Sequence, residues 1–91
     1  MKEKDLVELG MKRYDVSAQE SGAEAYHYYS WDPYKQSSFA LLSSASDDKS
    51  VVKKGEWVVQ VFDDPDIEFK DAQDVRILMD LLVKNVKKKR K

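Results

Sequence analysis

The chain contains no cysteine, one histidine, two prolines and three glycines in 91 residues. The missing cysteines exclude disulfides, thiolate metal sites and cysteine nucleophiles, and fit a reducing compartment. With His27 as the one imidazole, a histidine-rich metal site is excluded, and catalysis at that ring would need partners converging on it from elsewhere in the fold. No glycine-rich phosphate loop or nucleophile elbow surrounds any serine. No apolar run reaches the roughly 20 residues a membrane-spanning helix needs. The opening Met1-Lys2-Glu3-Lys4-Asp5 also lacks the apolar stretch of a signal peptide. These absences lead to the expectation of a cytoplasmic protein that is not an enzyme, carries no cofactor or metal, and does not enter a membrane.

Charge is abundant, and it is unevenly placed. A formal charge of −1 conceals a run of six cations, Lys84, Lys87, Lys88, Lys89, Arg90 and Lys91, with no acid after Val83. The preceding residues carry ten basic and 17 acidic side chains, a formal −7. Exposed carbonyls at a helix C-terminus favour a cation by ~0.3–1 kcal/mol each, but one or two charges neutralise that dipole. The surplus is either solvated or available for contact with the phosphates of RNA, although charge alone reads no bases. Residues 1–86 are therefore read as a single α+β domain and 87–91 as a basic tail.

The pattern of apolar residues predicts a short helix over Lys2–Met11 with Leu6 and Leu9 inward and Gly10 near its end. Arg13–Ser17 alternates like a half-buried strand, and Gln19–Glu24 reads as a polar connection. Ala25–Asp32 is the most aromatic strand, with Tyr26 and Tyr28 on one face and His27, Tyr29 and Trp31 on the other. Phe39–Ser43 is a further strand candidate, with Val51-Val52 extending a strand toward a hairpin turn at Lys53-Lys54-Gly55.

The closing stretch carries the strongest signals. Trp57–Phe62 is β-branched and aromatic almost throughout, as a central strand requires, and Pro65 within Asp63-Asp64-Pro65-Asp66 breaks it. Ile67–Phe69 alternates as a short strand. Asp71 is placed to cap a long helix in which Val75, Leu78, Leu82 and Val86 recur at helical spacing, widened by Ile77, Met79, Leu81 and Val83. The resulting expectation is a short N-terminal helix, an antiparallel sheet of four to five strands, and a long C-terminal helix packed on the sheet, whose other face is partly solvated.

Three groups are candidate binding residues. The basic run from Lys84 to Lys91 is the first. Tyr29 and Trp31 are the second: on an open sheet face they would anchor a protein partner or stack on unpaired bases, whereas on the inner face they would cover the core. The third is Asp63, Asp64, Asp66 and Glu68. These lack the ligand spacing and central glycine of a calcium loop, which leaves a solvated turn or an acidic surface complementary to a basic groove.

Taken together, Lys4-Asp5-Leu6-Val7-Glu8-Leu9-Gly10-Met11-Lys12, the aromatic strands, and the ending from Ile67-Glu68-Phe69-Lys70-Asp71 through Leu78, Leu81 and Leu82 resemble small proteins of phages and mobile elements. That group includes anti-CRISPR inhibitors. The resemblance covers nearly the whole chain at the level of layout and implies a non-catalytic interaction protein that binds a host protein or nucleoprotein effector. It transfers no individual residue. The alternatives are a single-stranded RNA-binding module using the basic tail and the sheet aromatics, and a small structural protein.

Overall fold

The computed structural model describes residues 1–87. Helix α1 (Glu3–Glu8) leads into β1 (Lys12–Val16). Strands β2 (Tyr26–Trp31), β3 (Leu41–Ser43), β4 (Val59–Val61) and β5 (Asp64–Phe69) follow, and α4 (Ala72–Lys84) closes the fold. Two further helices, α2 (Ala18–Ser21) and α3 (Lys49–Lys54), interrupt the connections after β1 and β3. The sheet is an antiparallel meander in the order β1-β2-β3-β4-β5. This is the α+β layout expected, with β4 inside the sheet between β3 and β5.

One sheet face carries the core. Leu6, Leu41, Val59 and Val75 are completely buried, two from helices and two from the sheet, and Leu9, Met11, Tyr29, Trp57 and Met79 complete the cluster. A fully buried aliphatic side chain of this kind contributes ~1.5–3 kcal/mol relative to exposure. Helix α1 spans only a few residues and depends on this packing. Its start is fixed by Lys2 N–H donating to the Asp5 carboxylate at 2.8 Å. At its far end Gly10 adopts φ 88°, where a side chain would be strained, and turns the chain into β1. The chain at Met1 adds a rung beside β4, with Trp57 N–H donating to Met1 O at 2.8 Å and Met1 N donating to Trp57 O at 3.2 Å.

Several connections differ from the sequence reading. Val51-Val52 lies in α3 and not in a strand, because Asp48 accepts from Ser50 N–H at one end while Gly55, at φ 66°, caps the other. Gln19–Glu24 contains most of α2, whose start is held by Ser17 and Glu20 bonding each other's backbone N–H. The reversal after β4 falls at Phe62-Asp63, and Pro65 sits within β5. Proline is tolerated there because β5 is an edge strand and the pairing jumps from Gln60↔Glu68 to Val61↔Asp64, so Pro65 owes no ladder N–H.

The C-terminal helix also presents a narrower apolar stripe than expected. Val75 and Met79 are buried and Leu78 and Leu82 half-buried, while Ile77, Leu81 and Val83 are about half exposed. A thirteen-residue helix on a single small sheet can bury only one stripe.

Candidate functional site

The sheet face opposite the core cluster carries none of the buried core residues. Strand register sets its composition. Lys12, Ser30, Leu42, Gln60 and Glu68 pair in turn across all five strands, forming one row with a cation at one edge and a carboxylate at the other. Gln60 Nε2 donates to Glu68 Oε2 at 3.2 Å within that row. Beside it, Tyr14 pairs with Tyr28 and Val16 with Tyr26.

The rings of Tyr14 and Tyr28 stack with centroids 5.7 Å apart and planes 17° from parallel, and Tyr26 follows Tyr28 at 6.5 Å. The Lys12 ammonium stands 5.6 Å from the Tyr14 centroid, within range of a cation–π contact. None of the three tyrosines belongs to the buried core or to the side chains packed against it. Each presents a ring face or edge together with a hydroxyl, the combination that suits an amphipathic docking surface.

The sequence-predicted anchors lie on the opposite face. Tyr29 is only 4% exposed and its ring packs edge-on to Trp57 at 5.9 Å. Trp31 is half-buried against the same cluster and pairs with Leu41. They cover the core and are not exposed anchors. The side-chain period of two explains the exchange, since moving Tyr29 to the core necessarily moves Tyr28 to the open side. The sequence had grouped Tyr26 with Tyr28. The pairing that adds Tyr14 to them becomes visible only with the β1–β2 register.

His27 also lies on the inner face. Its Nε2 is 2.7 Å from Glu3 Oε2, which accepts the Tyr29 hydroxyl at 2.8 Å as well, so one carboxylate of α1 is tied to two side chains of β2. Partial burial raises the Glu3 pKa, but the hydrogen bonds from His27 and Tyr29 and the nearby positive groups outweigh it and hold the carboxyl below its ordinary range. Burial and the same carboxylate push the Tyr29 hydroxyl up. The Ser46 hydroxyl accepts from His27 N–H at 2.9 Å, and Ser43 and Ser44 likewise accept from Tyr29 N–H and Val58 N–H. These hydroxyls complete the ladder where β3 leaves its neighbours.

Asp63, Asp64, Asp66 and Glu68 are all exposed on the β4–β5 hairpin. Among the described residues no group of three histidine, aspartate or glutamate side chains is placed to hold a metal ion. Lys84 occupies the last turn of α4 and Lys87 follows it, both exposed, while Lys88, Lys89, Arg90 and Lys91 lie outside the described residues. No helix among the described residues is long and apolar enough to cross a membrane. Comparison with family models, curated proteins and solved structures finds no match to this chain.

Proposed function

We propose that this protein is a non-catalytic interaction module that docks on a host protein or nucleoprotein effector through its open sheet face, with Tyr14, Tyr26 and Tyr28 as anchors. The observation that carries the reading is the stacked Tyr14–Tyr28 pair, continued by Tyr26, on the sheet face opposite the buried core. Tyrosine is enriched among interface anchors because it offers a large apolar area and a hydrogen-bonding tip at low entropic cost. Lys12 and Glu68 at opposite edges of the face give a partner both orientation and register. Five strands at about 4.8 Å spacing span roughly 20 Å, so the face supplies a few hundred Å² of the ~800 Å² per partner in a standard interface. Flanking loops would supply the rest.

In its finer form the proposal is an anti-CRISPR-like inhibitor, with the acidic body against the effector protein and the basic run from Lys84 to Lys91 against its RNA. The split charge supports that form. A second reading, direct binding of single-stranded RNA, is favoured by the exposed Tyr14 ring with Lys12 beside it, since rings on a sheet stack on unpaired bases. The open face works against it, because its central row balances one cation with one carboxylate and the rest of the body is acidic.

The test is affinity capture from the native host with wild type and with a Tyr14→Ser/Tyr28→Ser double variant, followed by titration of the captured partner. Loss of binding is expected, with the melting transition lowered by only a few degrees, the cost of the cross-strand pair. Equal capture by the two proteins would refute the anchor role. Retention of oligouridine by wild type but not by the variant would move the assignment to RNA.

A further inference from the structure

The two edges of the sheet are unlike each other. β5 carries Asp64, Pro65, Asp66 and Glu68, so a strand arriving there meets a proline and a row of carboxylates, both of which protect an edge from further pairing. β1 has no such guard. Its residues Lys12-Arg13-Tyr14-Asp15-Val16 include no proline, the first four are exposed, and among the described residues no element pairs with its outer side.

The neighbouring strand fixes which backbone groups of β1 face outward. In β2, His27 N–H donates to the Ser46 hydroxyl at 2.9 Å and its C=O accepts from Ser46 N–H at 2.8 Å, while Tyr29 N–H donates to the Ser43 hydroxyl at 2.8 Å. These two residues turn their backbone groups away from β1. Tyr26, Tyr28 and Ser30, which alternate with them, therefore bond to their register partners Val16, Tyr14 and Lys12. Arg13 and Asp15 are left with N–H and C=O pointing out of the sheet edge. Their side chains are 50% and 68% exposed and lie 2.9 Å apart as an ion pair.

This strand is complementary to itself. Laid antiparallel against a second copy with a two-fold axis at Tyr14, it sets Arg13 of each copy opposite Asp15 of the other. These are the residues whose backbone groups face outward, so each such pair closes its ladder hydrogen bonds and gains an ion pair together. Lys12 falls opposite Val16, and no like charges meet. Moving the axis to Arg13 or to Asp15 keeps the hydrogen-bonding phase but opposes arginine to arginine or aspartate to aspartate, which disfavours both registers. A formal charge of −1 adds little repulsion between copies.

We infer that the chain forms a symmetric dimer through β1, in which the two five-stranded sheets become continuous and Tyr14 meets Tyr14 of the second copy, joining the two tyrosine rows. The dimer stands whether or not the open face docks on a host partner.

Sedimentation equilibrium of the full chain from about 5 to 500 μM tests it, a range suited to an interface smaller than the standard ~800 Å² per partner. The mass should rise from 10.6 kDa toward twice that value. Arg13→Asp and Asp15→Arg should each weaken association by about tenfold or more, since each opposes like charges twice across the axis. An equimolar mixture of these two variants should recover it, one copy supplying only acids and the other only arginines, and so should the double exchange Arg13→Asp/Asp15→Arg in one chain. The register has its own readout. Directly opposed residues that do not bond across the new ladder have Cα atoms about 4.5 Å apart, within disulfide reach, so Tyr14→Cys in this cysteine-free chain should form a covalent dimer on mild oxidation far faster than Val52→Cys on α3, which is 69% exposed. A monomer throughout the range, association indifferent to the single charge changes, no recovery in the mixture, or equal cross-linking from positions 14 and 52 would each overturn the inference.

Discussion

Tyr28 and Tyr29 are neighbours on one strand, and the two faces they occupy follow different rules. Tyr29 lies against Trp57 with its hydroxyl on Glu3, enclosed by α1 and the sheet. Tyr28 lies on the open side, stacked on Tyr14 and touching no part of the core cluster. The same residue type is buried in the core in one position and only half-buried, outside that core, in the other. The contrast separates what the sheet needs in order to form from what it leaves on its open side.

The largest effect should come from removing the inner face. Trp57→Ala should cost about 3–5 kcal/mol, since it deletes a 4%-exposed indole that touches both His27 and Tyr29, and urea denaturation would measure it. On the open face, Tyr28→Ala should cost only about 0.5–1 kcal/mol, the worth of a cross-strand aromatic pair. Comparable losses from the two changes would erase the distinction between the faces.

A finer comparison leaves both rings in place. Tyr29→Phe removes a hydroxyl that donates to a carboxylate and should destabilise by about 1–2 kcal/mol. For Tyr28→Phe, whose hydroxyl makes no hydrogen bond among the described residues, thermal melting should show almost no change.

The smallest effect is the pH dependence at Glu3. Its folded carboxyl releases a proton more readily than the ordinary carboxyl, whose pKa is 4.5. The stability gained from this pairing is therefore complete above that value and is lost as pH falls through the lower folded one. In urea midpoints measured from pH 6 downward, Glu3→Gln should be less stable than wild type at the upper end and converge toward it in acid. A constant gap across the range would contradict the assignment.

Much of the architecture was legible in the sequence because it rests on local signals. Asp71 caps α4 by accepting from Gln73 N–H, Gly10 turns the chain into β1, and Leu6 and Leu9 point inward as their spacing required. The short helix α3 was misread because two adjacent valines favour a strand, although Asp48 and Gly55 already marked its ends. The open face was harder to read. Every residue from Tyr26 to Trp31 except Ser30 is an aromatic or a histidine, so alternation alone could not say which set faces inward. That choice was settled by α1 meeting His27 and Tyr29 through Glu3, contacts that span 24 and 26 residues of sequence.

The central claim is that the tyrosine face, and not the outer surface of the helices, meets the partner. Site-specific photocross-linking in the native host tests it most directly, with a photoreactive phenylalanine analogue placed in turn at Tyr28 and at Val7, which is 58% exposed on α1. A discrete adduct from position 28 and none from position 7 is the predicted result, whereas an adduct from position 7 alone would contradict the account.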